Sequence, residues 1–172
     1  AFVVDRAAID AAARTVQIAF ASETAYERFW GIEVLDCTPT AVRQGRIAGG
    51  SGPLLWNHDT DEQIGVIEAV SIGADRVCRA TVRFGKSADA EEVWVDVQDG
   101  IVRNVSVGYV IHAAVLTETS DKPGGDVYRV TDWEPYEISF VSVPADPTVG
   151  VGRSAEDPRI QPAQAAAPGA VQ

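Results

Sequence analysis

The sequence predicts a mainly β domain with peripheral helices (α+β), built on a closed or nearly closed antiparallel barrel of about seven strands. Three observations lead there. Short runs rich in β-branched and aromatic residues follow one another from Thr15 to Val143, separated by Gly- and Pro-containing turns. One segment alone carries a confident helical periodicity. No apolar run approaches the roughly 18 residues that a membrane-crossing helix needs. Many short strands with few helices are accommodated by closing a sheet on itself, with the helices outside.

Residues 1–14 (AFVVDRAAIDAAAR) read as an N-terminal arm or short Ala-rich helix. VQIAF and GIEVLD follow as short strands, and GRIAGGSGP (45–53) reads as a loop from its glycines and proline. LLWNH (54–58) is a strand or strand end. IGVIEAVSI (64–72) and VCRATVRF (77–84) form a hairpin turned at GADR. The helix is expected over 88–99. Ser87 is its N-cap, acidic residues fill its first turn, Ala90, Val93, Trp94 and Val97 form its apolar stripe, and Gly100 stops it. Residues 101–116 form a long strand or bent pair. VYRVTDW and YEISFVSV are two further strands separated at Pro135. The domain therefore spans 15–153. The segment 154–172, rich in Ala, Pro and Gln, has too little apolar bulk to order itself and is expected to be a disordered linker or tail.

The chain has 172 residues, 46% of them hydrophobic and 23% charged, which suits one globular domain with a core. No secretory signal pattern opens it. Its net charge of −11 sets it against nucleic acid and anionic membranes, so neither is expected as a partner. Cys37 and Cys78 match no metal or redox spacing and read as buried free thiols in a reducing compartment. Met is absent, as in a chain trimmed or cut from a longer product, or bounded by cloning.

Chemistry is confined to few residues. There is no HExxH and no phosphate loop, and no metal or cofactor is expected. His58, in LLWNHD, stands where an apolar strand ends, and imidazole is the side chain suited to taking a proton near neutral pH. It also reads as an ordinary turn histidine, or as a metal ligand with Asp59 and Asp61. Ser106, in NVSVGY, shares a strand face with Gly108, Val110 and His112, opposite Val105, Val107, Tyr109 and Ile111. Gly108 would leave space for a substrate backbone beside the hydroxyl. Read alone, Ser106 is equally an ordinary strand serine. Glu137 is the one charge in an otherwise uncharged strand, where burial demands a partner such as a histidine N–H, unless it faces outward. His112 competes for the third position, but lies roughly 20 Å along the strand from Ser106 at about 3.3 Å per residue.

Taken together, LLWNHD…IG, NVSVGY and WEPYEISFVSVPADPTVGVGR resemble the prohead (capsid-maturation) proteases of tailed bacteriophages, over roughly residues 15–153. The likeness is greatest to versions fused to the major capsid protein. The resemblance implies a fold similar to the herpesvirus assemblin proteases. It also implies a serine endopeptidase with Ser106 as nucleophile and His58 as general base. Glu137 takes the orienting role that a second histidine has in assemblins. Implied substrates are the scaffold, the N-terminal segment of the major capsid protein and the protease itself, cut inside the assembling prohead in the bacterial host cytoplasm. Assemblins act as dimers, so a homodimer or higher oligomer is expected by analogy. The oxyanion donors are unassigned, with the turn near Ala145 and Asp146 a guess. Two other readings stay open: a non-catalytic barrel serving as a capsid assembly or scaffold module, and a metal-dependent hydrolase centred on His58, Asp59 and Asp61. A shared barrel does not by itself imply proteolysis.

Overall fold

The computed structural model describes residues 6–152. The segment 154–172, expected to be a linker or tail, lies outside the described residues. Within 1–14 the described part holds a 3-10 turn, Arg6–Ala8, and a two-residue strand β1, Ile9–Asp10, paired with β2, Thr15–Ala21. Strands β3 (Tyr26–Arg28), β4 (Gly31–Leu35), β5 (Gly52–Trp56), β6 (Asp59–Ile72) and β7 (Cys78–Phe84) follow. Then come helix α1 (Ala88–Gln98), two 14-residue strands β8 (Val105–Glu118) and β9 (Val127–Phe140), and a short β10 (Gly150–Val151).

The mainly β character is as the sequence implies, but the expected closed antiparallel barrel of about seven strands is not what forms. Ten strands make one sheet whose main path runs β1-β2-β7-β6-β5-β9-β4-β3, with β10 on β2 and β8 on β9. No pairing among the described residues joins β1 to β3, so the sheet is an open half-barrel. It is also mixed, because β4 and β5 both pair parallel with β9. The reason lies in the length of β9. Its first residues take β4 (Ile32↔Val127 to Leu35↔Val130) and its last take β5 (Leu54↔Ile138 to Trp56↔Phe140). Its opposite edge is occupied by β8 throughout. A strand so shared branches the sheet instead of closing it.

The hairpin read at 64–84 is β6–β7, turned at 73–77. Helix α1 agrees with its expectation. Ser87 accepts the Ala90 N–H at 3.3 Å, a cap worth about 1 kcal/mol. Ala90, Val93, Trp94 and Val97 are buried, and Trp94 packs on Phe84 of β7 at 5.1 Å between ring centroids. Phe84 in turn meets Phe140 of β9 at 5.4 Å, so the helix is keyed to the strand that carries Glu137. Burying each such side chain stabilises the fold by roughly 1.5–3 kcal/mol.

VYRVTDW and YEISFVSV are not separated at Pro135. β9 runs unbroken through Pro135 and ends at Phe140, short of residues 141–143, and its ladder to β8 shifts at the proline, with Gly108 opposite Glu137 but Tyr109 opposite Pro135. Tyr136 is therefore a bulge residue, and the proline, which has no N–H to give, sits where the ladder is already interrupted. Cys37 and Cys78 are buried free thiols, and the hydrogen bond to Cys78 together with burial pushes the Cys37 thiol far up. No helix among the described residues is long and apolar enough to cross a membrane.

Candidate active site

Three segments converge on one end of the β8–β9 hairpin. Ser106 stands directly opposite Ser139, and Gly108 opposite Glu137. Residues opposite one another in an antiparallel ladder share a face, so these four lie together. The β5–β6 connection then folds over that face. Trp56 pairs with Asp59, leaving Asn57 and His58 as a two-residue turn with φ of +49° and +63°. Positive φ at both central positions defines a type I′ hairpin turn, whose second position ordinarily favours glycine. A histidine there holds its backbone in the sparsely populated left-handed region, at a cost of about 1–3 kcal/mol.

The turn is pinned to β9 and the segment after it. The Asn57 N–H donates to Phe140 O at 2.9 Å, and Asn57 Oδ1 accepts the Ser142 N–H at 3.1 Å. The His58 N–H donates to Ser139 Oγ at 3.1 Å. The imidazole ring then meets Glu137, with Nδ1 2.6 Å from Oε1. Ser139 Oγ donates to the other carboxylate oxygen, Oε2, at 2.7 Å. Glu137 is 3% exposed and Ser139 fully buried, so each carboxylate oxygen has its own partner in a place where an unpaired one would be costly.

Ser106, 8% exposed, and His58 line the same pocket of about 210 Å³, together with Ala145 and Asp146, the residues guessed for the oxyanion turn. Asp146 accepts hydrogen bonds from Ser22 and Thr148. Among the described residues no hydrogen bond joins the Ser106 hydroxyl to the His58 ring.

Gly108 has a different neighbour from the one the sequence suggests. A Cβ there would lie 2.3 Å from Glu137 Oε1 and 2.9 Å from the Tyr136 ring. The absence of a side chain at Gly108 makes room for the glutamate carboxylate, and Gly108 also lines the cleft that runs past His58. Ser139 was not singled out from the sequence. Its signal was there, since a residue two places beyond Glu137 on a strand points to the same face.

His112 lies elsewhere. Its Nε2 is 3.3 Å from Glu134 Oε2, and it does not line the pocket that holds Ser106. Asp59 accepts the Asp61 N–H at the start of β6. Among the described residues no three His, Cys, Asp or Glu side chains are grouped so as to hold a metal.

The sequence matches the family of caudovirus prohead serine proteases over residues 36–159. It is 50% identical over 140 residues to a major capsid protein of Halomonas phage phiHAP-1, covering 78% of this chain and 22% of that protein. It is 30% identical over 101 residues to a capsid polyprotein of Pseudomonas phage PAJU2, covering 55% of this chain and 14% of that one. The chain thus spans about a fifth or less of the curated relatives it matches. No solved structure matches it.

Proposed function

Because the chain belongs to the caudovirus prohead serine protease family, we propose that it is a serine endopeptidase in which Ser106 attacks, His58 moves the proton and Glu137 orients His58. The observation that carries this reading is the clamp on the histidine. Glu137 holds Nδ1 at 2.6 Å, Ser139 fixes the carboxylate, and the whole sits beside a pocket-lining serine. With Nδ1–H committed to Glu137, Nε2 is the nitrogen left to accept the Ser106 proton.

In the proposed sequence Ser106 Oγ adds to a peptide carbonyl as His58 Nε2 takes its proton. Glu137 stabilises the imidazolium so formed. The proton passes to the leaving amine, the C–N bond breaks and an acyl-enzyme remains. Water, deprotonated by the same histidine, releases the acid and restores Ser106. Backbone N–H groups are the natural stabilisers of the oxyanion. The sequence requires no metal or cofactor.

The relatives' names, and the small share of their length that this chain spans, support a protease joined to its capsid protein. Its substrates are then the scaffold and capsid segments and its own flanks, cut inside the prohead in the host cytoplasm. Intact-mass analysis of the full translated product tests this. Wild type is expected to be trimmed at discrete sites, and Ser106→Ala to stay whole. Identical trimming of both would remove Ser106 from the nucleophile's role.

A further inference from the structure

Two spaces meet at His58, and only one of them reaches the nucleophile. Ser106 lines the pocket of about 210 Å³ but not the wider cleft of about 560 Å³ beside it. Arg28, Glu33, His58, Val107 and Tyr109 line both, so the two are continuous. In the proposed reaction the acyl part of the substrate becomes bonded to Ser106, while the amine part takes its proton from His58 and departs. The acyl part therefore belongs to the pocket. The amine part belongs to the cleft, which has His58 but not Ser106 in its wall.

The cleft offers apolar surface. Phe29, Trp30, Val107, Tyr109, Ile111 and Tyr136 line it. Phe29 is 100% exposed, Tyr136 40% and Ile111 39%, so a ligand can reach them. Single apolar side chains scattered over a surface are ordinary, but several gathered around one opening mark a place that binds. The charged groups of the cleft are committed elsewhere. Arg28 Nη2 donates to Glu33 Oε1 at 3.2 Å and to the Tyr109 hydroxyl at 2.5 Å, Glu33 is buried, and Glu137 is held by His58 and Ser139. What meets an incoming side chain is mainly hydrocarbon and aromatic face.

Phe29 is also held in place. With Trp30 it forms the two-residue turn between β3 and β4, where Arg28 pairs with Gly31. Trp30 packs edge-on against Tyr128 of β9, at 5.3 Å between ring centroids. Gly31 lies so close to the start of β9 that a Cβ there would be 2.8 Å from Asp126 O and 2.9 Å from the Tyr128 ring. The Ile32 N–H donates to Asp126 O at 2.8 Å. The turn is thus clamped to the sheet, and an aromatic ring presented from a clamped turn loses little further freedom on binding.

We propose that this cleft is the leaving-group subsite, where Phe29 and its neighbours receive a bulky apolar side chain of the substrate polypeptide on the C-terminal side of the scissile bond. This rests on the serine-protease reading of Ser106 and His58.

Deacylation by an amine in place of water tests it, because the acceptor amine must enter where the leaving amine departs. The purified chain is treated with p-nitrophenyl acetate. An Oγ–C bond forms, p-nitrophenoxide leaves, and mass spectrometry locates the acetyl group on Ser106. Peptide amides then compete with water for it. In that transfer the Oγ–C bond breaks, a C–N bond forms, and the amine's proton passes through His58 to Oγ. Gly-Phe-amide and Gly-Gly-amide attack with the same amine and differ only in the second side chain. Gly-Gly-Phe-amide and Gly-Gly-Gly-amide place that difference one residue further on. Wild type is expected to favour the phenylalanyl acceptor at least about tenfold at one length or the other. In Phe29→Ala that ratio is expected to fall at least about threefold, and in Phe29→Leu to be largely kept. Each ratio is taken within one protein, so a change in overall activity cancels. Ratios near one in wild type at both lengths, or a preference that Phe29→Ala leaves intact, would overturn the proposal. The wild-type comparison decides even where a variant does not fold. A Ser106 that takes up no acetyl group sinks the serine reading itself, and this inference with it.

Discussion

Glu137 and Glu134 lie three residues apart on β9, and each meets a histidine. At Glu137 the contact is 2.6 Å, and the glutamate side chain is 5% exposed. Its second oxygen is held by Ser139, and the histidine stands on a turn tied by two hydrogen bonds to β9 and by a third to Ser142 just beyond it. At Glu134 the contact is 3.3 Å, with side chains 31% and 22% exposed for His112 and the glutamate. Among the described residues no further hydrogen bond fixes that carboxylate. In water such a pair is worth well under about 1 kcal/mol and holds no fixed geometry. The difference teaches that proximity alone does not make an orienting carboxylate. The carboxylate must also be unable to swing, and the ring must have no other place to go.

The comparison breaks most sharply at Glu137→Gln. A neutral amide no longer stabilises the imidazolium and can present its NH₂ to the ring, which selects the wrong tautomer. With phosphonylation of Ser106 by an alkyl fluorophosphonate, which loses fluoride, standing in for acylation, its rate should fall on the order of 10²–10⁴-fold. A drop of only a few-fold would mean that Glu137 is a structural partner and not an orienting one.

A step smaller is Gly108→Ala. The added methyl cannot share space with Glu137 Oε1 at 2.3 Å, so the carboxylate must retreat. A displacement of about 1 Å in such a group can cost roughly 10²-fold in rate. Thermal melting should show a loss no larger than about 1–3 kcal/mol, the usual scale of overpacking. A folded variant with an unchanged acylation rate would show that Glu137 need not sit where it does.

At the other pair nearly nothing should happen. Glu134→Gln and His112→Ala are expected to leave acylation within about twofold and stability within about 0.5 kcal/mol. A large effect from either would return His112 to contention for the third catalytic position.

The sequence carried the local features well, because their causes are local. The Ser87 cap, the stripe from Ala90 to Val97 and the β6–β7 hairpin each follow from residues a few places apart. The open sheet did not show. Its decisive contacts are Ile32 with Val127 and Leu54 with Ile138, parallel pairings across long stretches of chain that leave no periodic trace. In the site, Ser106, His58 and Glu137 were each identifiable as candidates. What held them was not. Ser139 carries no mark in the sequence that sets it apart from any other strand serine, since its contacts with Glu137 and His58 are made across the fold. That the Glu137 carboxylate stands beside Gly108 depends on the ladder register with β9, which a single strand's sequence does not carry.

The turn that carries His58 has a consequence for how this chain could change over time. Asn-Gly would satisfy the backbone at 57–58 better than Asn-His does. With His58 as the proposed general base, selection for folding and selection for cutting would pull position 58 in opposite directions. A lineage released from the need to cut would gain stability by drifting to glycine there, and its serine and glutamate could persist long after. In such a descendant the first mark of a retired enzyme would be a more comfortable loop.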